Sequence, residues 1–260
     1  MKKQIALVTG ASSGIGLELS RLFARDGYDL VLVARSTQKL ESLASELKQA
    51  YGVDVTVLSV DLSRVEAAKE VFEAVQSQGL NIHILVNNAG FGIHKLLVEA
   101  DVDEMTQMLQ VNIVTLTELT RLFLPGMLAL KSGRILNIGS TGSFAPSPYM
   151  AAYVASKAYV LSFSEGLAEE LRGTGVTVTA LCPGVTPTGF QERADVGNMP
   201  LTRFGIVSAE KVAAVGYKAL MRGRRVVVPG FVNRLFVWSM GITPHAILLP
   251  LARRLMSKDG

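Results

Sequence analysis

The stretch Thr9-Gly10-Ala11-Ser12-Ser13-Gly14-Ile15-Gly16 decides the fold. It follows directly on the apolar run Ile5–Val8 and leads into Leu17–Arg25, where apolar residues recur at helical spacing. Glycines let the backbone turn tightly, and the first N–H groups of the following helix attract an anion such as a pyrophosphate. The spacing G-x-x-x-G-x-G is less common than G-x-G-x-x-G, so an ordinary strand–helix turn is the alternative.

Outward from this turn, short apolar runs alternate with helical patterns. Strands that are almost entirely apolar are buried on both faces, and their alternation with helices is typical of a parallel sheet covered on each side. We therefore predict an α/β fold, a single domain over residues 1–260 with a doubly wound parallel sheet in three layers. The predicted strands are Ile5–Thr9, Asp29–Ala34, Val55–Val60, Ile82–Val86, Gly133–Ile138, Val176–Leu181 and Arg225–Val228, and the predicted helices include Leu17–Arg25, Gln38–Gln49, Ala67–Gln78, a stretch from about Met105 to Leu130, and Ala151–Leu171.

Composition and charge argue against several classes of protein. A hydrophobic share of 49% against 18% charged residues supports a sizeable core rather than a disordered chain. A net charge of +4, with no basic stripe interleaved with aromatic residues, argues against nucleic-acid binding. The single cysteine, Cys182, cannot form an intrachain disulfide. This fits a reducing compartment, and we predict a cytoplasmic protein.

Ligands of a doubly wound sheet bind beyond the carboxyl ends of its strands, so the residues there are the functional candidates. After the second strand, no acidic residue is present to bind the ribose 2′-hydroxyl of NAD(H). Arg35 stands there instead, and its planar guanidinium suits a 2′-phosphate, with Lys39 as a further source of charge. We predict NADP(H) in preference to NAD(H); a solvated surface arginine is the alternative.

The third and fourth strands also end in polar or small residues. Asp61, followed by Leu62, can accept a hydrogen bond from an adenine amino group or can cap the next helix, and both interpretations stay open. The run Asn87-Asn88-Ala89-Gly90 allows close backbone approach and several hydrogen bonds. A plain turn is the alternative for this run.

Ser140 follows the fifth strand, and Tyr153 and Lys157 lie four apart in one predicted helix. Residues four apart share a helix face, so we expect the Lys157 ammonium to lower the pKa of Tyr153 from about 10 towards the working pH. Ser140 can donate a hydrogen bond to a substrate oxygen whose charge changes during reaction. Asn112 can hold a water that links Lys157 to solvent. A tyrosine–lysine pair at this spacing also occurs by chance in many helices.

Together these residues resemble the classical short-chain dehydrogenase/reductase (SDR) family. The resemblance implies a Rossmann-like domain. It also implies an oxidoreductase, a ketoreductase or alcohol dehydrogenase, that moves a hydride between a nicotinamide cofactor and a carbonyl or secondary alcohol. Many NADP(H)-preferring members carry a basic residue where this chain has Ser13, so the NADP(H) prediction depends mainly on Arg35. The matching motifs are Thr9–Gly16, Asn87-Asn88-Ala89-Gly90, Asn112, Ser140, Tyr153-x-x-x-Lys157 and Pro183-Gly184 with Thr188, in the family's order and spacing.

The resemblance implies a role for each matching residue. Tyr153 is the catalytic acid/base, and Lys157 binds the ribose and modulates the pKa of the tyrosine. Ser140 orients the substrate, and Asn112 belongs to a proton relay. A homodimer or homotetramer packed through the helices around Asn112 and Tyr153 is also implied. The cofactor-binding set is Gly10, Ser12, Ser13, Gly14, Ile15, Gly16, Arg35, Asp61, Leu62, Asn88, Ala89, Gly90, Tyr153, Lys157, Pro183, Gly184, Thr186 and Thr188.

Large apolar residues after the fourth, fifth and sixth strands predict a hydrophobic substrate, such as a lipid-like, acyl or sterol-like ketone. The alternative is that most of them pack the core. His94 is expected at the surface or the rim of the site, and not as a catalyst. Residues 186–205 are polar and contain glycine, which suits a lid over the cofactor. The substrate candidates are Phe91, His94, Phe144, Tyr149, Met150, Phe190, Met199 and Phe204.

Residues 230–260 form a C-terminal extension in which basic residues flank apolar Leu235–Leu251. Peripheral membrane contact is one interpretation, and a weak similarity to a bacterial-type SDR subgroup thought to act on lipid-like ketones agrees with it. We favour a subunit interface or a flap over the substrate pocket, because apolar patches more often mark partners or pockets. A spanning helix is not expected, since polar residues and prolines interrupt the stretch.

Two other functions are compatible with this fold, because a fold alone does not determine a function. One is a cofactor-sensing protein that has lost catalysis. The other is a membrane-adaptor protein whose tail carries the function. The presence of Ser140, Tyr153 and Lys157 favours the enzyme.

Overall fold

A computed structural model describes residues 4–194 and 205–256. Within these residues, seven parallel strands form one sheet in the order β3-β2-β1-β4-β5-β6-β7. From β1 the chain adds strands towards one edge of the sheet as far as β3, and from β4 it adds them towards the other edge. Doubly wound folds bind their ligands at the point where this order reverses, here between β1 and β4. The strands are β1 Ile5–Thr9, β2 Asp29–Ala34, β3 Val55–Ser59, β4 Ile82–Asn87, β5 Gly133–Ile138, β6 Val176–Leu181 and β7 Val226–Val227.

Helices cover both faces of the sheet, and successive strand residues pack into two separate cores. Leu7 of β1 packs with residues of the helices on one face, whereas Ala6 and Val8 pack with those on the other. This confirms the predicted three-layer, doubly wound α/β fold. The helices are α1 Gly14–Arg25, α2 Thr37–Tyr51, α3 Ala67–Ser77, α4 Val102–Leu109, α5 Leu116–Ala129, α6 Ala151–Glu170, α7 Gly189–Ala194, α8 Ala209–Met221, α9 Phe231–Ile242 and α10 His245–Met256.

Strand pairing explains where the predicted strand bounds were wrong. Strand β3 ends at Ser59, which pairs with the last residue of β2, so Val60 lies beyond it. Strand β4 continues to Asn87, which pairs with Asn137. Strand β7 is shorter than the predicted Arg225–Val228, because it is an edge strand that pairs only with the end of β6. The bounds of β1, β2, β5 and β6 were correct.

The predicted helical stretch from about Met105 to Leu130 is confirmed, and it runs without a break from Val102 to Ala129. Helix α4 begins at Val102, after Asp101, whose carboxylate accepts a hydrogen bond from the Glu104 N–H at 2.8 Å. A π-helical turn over Gln110–Thr115 separates α4 from α5. Such turns frequently occur at functional sites, and this one contains the buried Asn112. The other predicted helices differ from the structure by one to three residues at their ends.

The C-terminal part of the chain leaves the sheet after β7 and forms α9 and α10. Helix α7 lies within the predicted lid, whereas residues 195–204, including Met199 and Phe204, lie outside the described residues. Helices α9 and α10 have twelve residues each. Within residues 4–194 and 205–256, no helix combines the length and apolarity needed to cross a membrane.

Candidate active site

The glycine-rich turn connects β1 to α1 next to the end of β4. Gly10 and Gly14 have positive φ angles of 64° and 56°, a region that favours glycine. A Cβ added to Gly16 would lie 2.4 Å from both the Gly10 carbonyl oxygen and Asn88 Nδ2. Gly16 therefore permits close packing of the turn against the start of α1.

Thr9 and Asn88 fix this turn to the end of β4. The Thr9 hydroxyl accepts hydrogen bonds from the N–H groups of Asn88 and Ala89, both at 3.0 Å, and donates to the Val86 carbonyl. Asn88 Nδ2 donates to the carbonyls of Thr9 and Gly10 at 2.9 and 3.2 Å. The Asn88 amide thus positions the turn. The sequence analysis assigned no role to Thr9, although a hydroxyl just before a glycine-rich turn was a usable signal.

One cavity of about 770 Å³ brings most of the predicted site together. Of the predicted catalytic and cofactor-binding residues, two do not line it: Gly16, which packs behind the turn, and Asn112, which is buried. The predicted residues that line it are Gly10, Ser12, Ser13, Gly14, Ile15, Arg35, Asp61, Leu62, Asn88, Ala89, Gly90, Ser140, Tyr153, Lys157, Pro183, Gly184, Thr186 and Thr188.

Arg35 and Asp61 lie together at one end of the cavity. Arg35 is exposed, and Lys39 lines the same end. Asp61 Oδ1 accepts hydrogen bonds from the N–H and the hydroxyl of Ser63. Burial opposes charge on the Asp61 carboxylate, but these hydrogen bonds and the nearby Arg35 leave its pKa below the usual value. The helix-cap interpretation of Asp61 was wrong, because α3 begins at Ala67 with Glu66 at its cap position.

Ser140 follows β5 and caps a short 3₁₀ helix over Thr141–Phe144. Its Oγ accepts a hydrogen bond from the Gly142 N–H at 3.0 Å, and Ser143 Oγ accepts one from the Ser140 N–H at 3.1 Å. This reciprocal pair fixes the position of the hydroxyl oxygen and directs its proton elsewhere. A hydrogen bond between Ser140 and Tyr153 acts to lower the pKa of the phenol.

Tyr153 and Lys157 are buried on one face of α6, as their spacing predicts. The expectation that Lys157 brings the pKa of Tyr153 below 10 was wrong for this structure. Burial raises the pKa of Tyr153 to about 12, because it removes water from the phenolate. Burial also lowers the pKa of Lys157 to about 8. The ammonium lies 5.9 Å from the tyrosine ring centroid and donates to the Ile138 carbonyl at 2.9 Å.

Asn112 lies behind the cavity in the π-helical turn. Its Oδ1 accepts from the Phe91 N–H at 3.2 Å, and its Nδ2 donates to the Phe91 carbonyl and to Ser156 Oγ, both at 3.0 Å. A Cβ added to Gly90 would lie 2.8 Å from Asn112 Oδ1 and 3.3 Å from Lys157 Nζ. The side chains of Asn112 and Lys157 therefore both lie close to Gly90. The proton relay through Asn112 stays a prediction.

The predicted substrate residues divide into three groups. Phe91, Met150 and Phe190 line the cavity, and the Phe190 ring lies 5.4 Å from the Tyr153 ring. Phe144 packs instead against a small core cluster beside β6. Met199 and Phe204 lie outside the described residues.

The position expected for His94, at the surface or the rim of the site, was wrong. The side chain is buried, its ring stacks on Tyr149 at 5.4 Å, and Nε2 lies 2.9 Å from the Met256 carbonyl oxygen. His94 therefore connects the loop after β4 to the end of α10. Neither His94 nor Tyr149 lines the cavity.

The C-terminal helices line the cavity, as the predicted flap over the substrate pocket would, with side chains that were not identified from the sequence. Helix α9 contributes two side chains and α10 three, all apolar apart from the sulfur atoms of two methionines. Their helical spacing was a signal, but an apolar periodicity does not distinguish a cavity wall from a core-packing face. These residues are Phe236, Met240, Leu248, Ala252 and Met256.

A family comparison agrees with this arrangement of residues. The model of the short chain dehydrogenase family matches residues 4–198. The chain belongs to the short chain dehydrogenase family. The match includes the glycine-rich turn and Ser140, Tyr153 and Lys157, and it ends before α8.

Individual relatives resemble this short chain dehydrogenase to different extents. A very-long-chain 3-oxoacyl-CoA reductase of Anas platyrhynchos is 36% identical over 184 residues, covering 68% of this chain and 58% of the relative. The chain spans little more than half the length of the first curated relatives it matches. A solved short-chain dehydrogenase from Sphingobium yanoikuyae, in complex with NADPH, is 32% identical with a TM-score of 0.82 and covers 94% of this chain and 97% of its own. Another from Burkholderia phymatum, in complex with NAD, is 26% identical with a TM-score of 0.82, covering 95% and 94%.

The cavity of this short chain dehydrogenase fits a nicotinamide dinucleotide. Two of the glycines that line it leave no room for a side chain: a Cβ on Gly14 would lie 2.8 Å from the Thr188 methyl, and one on Gly90 would lie 2.8 Å from Asn112 Oδ1. Gly10, Gly14 and the start of α1 suit the pyrophosphate, and Lys157 and Tyr153 line the same cavity. Arg35 supplies a cation at the end where an adenosine would lie in this fold.

Proposed function

We propose that this chain is an NADP(H)-dependent oxidoreductase that interconverts a ketone and a secondary alcohol, working mainly as a reductase on a hydrophobic substrate. The observation that carries the proposal is that Ser140, Tyr153 and Lys157 line the same cavity as the glycine-rich turn. A cavity that joins a phosphate-binding turn to an acid/base pair suits a cofactor and a substrate side by side.

The residues act on the substrate oxygen and its proton, while the bound nicotinamide supplies or accepts the hydride. Tyr153 holds its proton at neutral pH because burial raises its pKa, and a protonated phenol is the form that donates to a developing alkoxide. The Ser140 oxygen accepts from Gly142, so its own proton is available to the substrate oxygen. Lys157, with a pKa of about 8, is mostly charged at pH 7 and favours the phenolate that remains. Asn112 and Lys157, which both lie close to Gly90, return a proton to Tyr153 after each turnover.

The preference for NADP(H) rests on Arg35, because β2 is followed by Arg35-Ser36 and not by a carboxylate. Removing a charge-assisted hydrogen bond typically costs about 1.5–3 kcal/mol. Arg35→Ala should therefore weaken kcat/KM for NADPH about 10- to 100-fold and leave that for NADH nearly unchanged. Lys48→Ala is the matched control, since Lys48 is exposed and does not line the cavity. A wild-type preference for NADH would contradict the role given to Arg35.

A hydrophobic ketone of lipid-like, acyl or sterol-like class is the substrate we propose. Phe91, Met150 and Phe190 gather next to Tyr153, and a Cβ on Gly92 would contact both Phe190 and Tyr153. The C-terminal helices add five further apolar side chains to the same cavity. The similarity to a reductase named for very-long-chain 3-oxoacyl-CoA supports this class of substrate.

We propose that the protein is a cytoplasmic homodimer or homotetramer. The helices around Asn112 and Tyr153 carry the exposed Val114 and Tyr159, which suit packing against another copy. Sedimentation of the purified protein measures the number of subunits, and a monomer at micromolar concentration would contradict the assembly.

The test of the proposed function is a panel of ketones of increasing chain length, followed by NADPH oxidation and repeated with NADH. Turnover that increases with the apolar length of the ketone is the expected result. NADPH binding without turnover of any ketone or alcohol would favour the alternative, a catalytically inactive cofactor sensor on the same fold. A full-length chain without turnover, whose membrane binding is lost on deletion of the residues after Gly230, would favour the adaptor function.

A further inference from the structure

Helices α9 and α10 present apolar side chains on two opposite sides. The inner side lines the cavity. The other side, the outer face, has its α9 members at positions i, i+4, i+7 and i+11, which places them on one face of the helix. The outer face consists of Phe231, Leu235, Trp238 and Ile242 on α9 and of Ile247 and Leu251 on α10.

Every residue of the outer face is more than half exposed. The exposed fraction ranges from 52% for Leu251 to 72% for Phe231, and it is 63% for Trp238. Single exposed apolar side chains are common, but a continuous stripe marks a binding surface. An apolar helix side is normally buried against a neighbour, and within the described residues the outer face has none, so we expect it to bind a partner.

The charge around the outer face identifies that partner. Residues 222–256 contain six arginines and no aspartate or glutamate. In the described part of the chain, only one of the six, Arg225, forms an ion pair, with Glu169. Arg234 lies over the Phe231 ring at 5.8 Å, and Arg253 and Arg254 lie in the last turn of α10. A second copy on this face would bring cations together without acidic residues of the segment, whereas an anionic lipid surface neutralises them.

We propose that the outer face docks on the surface of a membrane that contains anionic lipids. The apolar stripe enters the boundary between headgroups and acyl chains, and the arginines contact the phosphates. Trp238 has the amphipathic ring that is enriched at this depth. The two twelve-residue helices lie in the plane of the membrane, because about 20 residues are needed to span it.

This placement gives the membrane a role in substrate delivery, a step that rests on the proposed function. The same two helices line the cavity on their inner side. A ketone dissolved in the bilayer would therefore reach the site past a single layer of helices, without transfer into bulk water. The substrate class that fits is a membrane-soluble ketone.

Trp238 is the only tryptophan of the chain and serves as a built-in probe of docking. The full-length protein is mixed with phosphatidylcholine vesicles, with or without phosphatidylglycerol, and its fluorescence and co-sedimentation are measured. We expect a blue shift and co-sedimentation with the anionic vesicles only, both weakened by salt. Unchanged emission with both kinds of vesicle would overturn the proposal. So would a blue shift that depends on protein concentration alone, which identifies the outer face as a contact between copies.

Two variants and a control make the test specific. Leu235→Gln with Ile242→Gln should lower partition into anionic vesicles by about tenfold or more, since two large apolar side chains return to water. Arg253→Gln with Arg254→Gln should lower it by about tenfold through the loss of two cations. Val65→Gln, at an apolar position that is 69% exposed on another part of the surface, should leave it unchanged.

Measuring ketone reduction alongside vesicle binding distinguishes a failure of membrane docking from a failure of the proposed function. Leu235 and Ile242 do not line the cavity, so their variants should reduce a short, water-soluble ketone as the wild type does. Docking without any turnover would contradict only the function. Turnover without docking would contradict only the membrane proposal.

Discussion

The two ends of the cavity are built in opposite ways. At the glycine-rich end, the hydrogen bonds of Thr9 and Asn88 hold the backbone at positions where an added Cβ would collide within 2.4–2.8 Å. At the C-terminal end, α9 and α10 present apolar side chains to the cavity. Their polar connections, such as those of Asn233 to the carbonyls of Gly205 and Pro229, lie outside the cavity lining.

This difference in construction matches two tasks, the positioning of a cofactor and the recognition of a substrate. A cofactor whose reacting atom must be placed accurately requires hydrogen bonds and backbone contacts that tolerate almost no displacement. A hydrophobic substrate is recognised by an apolar wall in which one side chain can replace another at a small cost. Substitutions at the first end should therefore affect every substrate, and those at the second end should affect only long substrates.

The phenol of Tyr153, between the two ends, gives the largest expected effect. Tyr153→Phe removes the acid/base group and should lower kcat about 10²- to 10⁴-fold for every ketone, because general acid–base catalysis contributes that much. NADPH binding, measured by fluorescence titration, should change little. Tyr159→Phe on the same helix is the matched control, since its hydroxyl contacts Thr117 and does not line the cavity. Turnover retained in Tyr153→Phe would show that another group handles the proton.

A single added methyl group should destabilise the glycine-rich end, because there is no space for it. Gly16→Ala places a Cβ 2.4 Å from the Gly10 carbonyl oxygen, so it should lower the free energy of unfolding by about 1–3 kcal/mol and weaken NADPH binding. Gly166→Ala in α6 is the control with the opposite sign. An added Cβ at this position has no atom within 4 Å. Alanine loses less conformational entropy than glycine when the helix forms, so this variant should be more stable by about 0.5–1 kcal/mol. Urea unfolding measures both, and a Gly16→Ala variant of normal stability would contradict the close packing of the turn.

The fold was predictable because its signals are local. Buried parallel strands are almost continuous apolar runs, and β1, β2, β5 and β6 were predicted at their observed bounds. The π-helical turn at Gln110–Thr115 within the long helical stretch was not predictable, because such a turn has no apolar periodicity of its own. The burial of His94 was missed for a related reason. Its partners, Tyr149 and the Met256 carbonyl, are distant in sequence.

The candidate site was predictable to the extent that motifs fix it. The glycine-rich turn, Ser140, Tyr153 and Lys157 share the cavity that their positions at strand ends imply. The pKa of Tyr153 was not predictable, because spacing gives the nearby charge but not the loss of water around the phenolate. The inner and outer sides of α9 and α10 were not distinguishable either, because both are apolar at helical spacing.

Burial of the Lys157 ammonium in the site should lower the stability of the folded protein. Its pKa is about 8 in the folded chain, against the ordinary lysine value of 10.5, so burial of the ammonium costs about 3 kcal/mol at pH 7. Lys157→Met removes this cost but leaves the Ile138 carbonyl without its donor, which costs about 1–2 kcal/mol. We expect a net gain in the free energy of unfolding of about 1–2 kcal/mol at pH 7, with most turnover lost.

The pH dependence of that gain provides its control. Between pH 8 and 10.5 the unfolded wild-type chain binds more protons at this lysine than the folded chain, so wild-type stability rises with pH in this window. The advantage of Lys157→Met over the wild type should therefore be full below pH 8 and shrink as the pH rises towards 10.5. Urea unfolding of both proteins at pH 7 and at a pH above 9 measures the difference. An advantage that does not depend on pH would assign it to packing and not to charge.

The C-terminal wall should give the smallest and most selective effect. Phe236 lines the cavity, whereas Leu235 beside it belongs to the outer face. Phe236→Ala should raise KM for a long-chain ketone about five- to tenfold, because roughly half the apolar burial of one large side chain is lost. KM for a short, water-soluble ketone and the affinity for NADPH should stay within about twofold, and Leu235→Ala should leave all three unchanged in detergent-free buffer. If Phe236→Ala weakened NADPH binding or affected short and long ketones equally, the wall would be coupled to the glycine-rich end, and the division of the cavity into two independent tasks would fail.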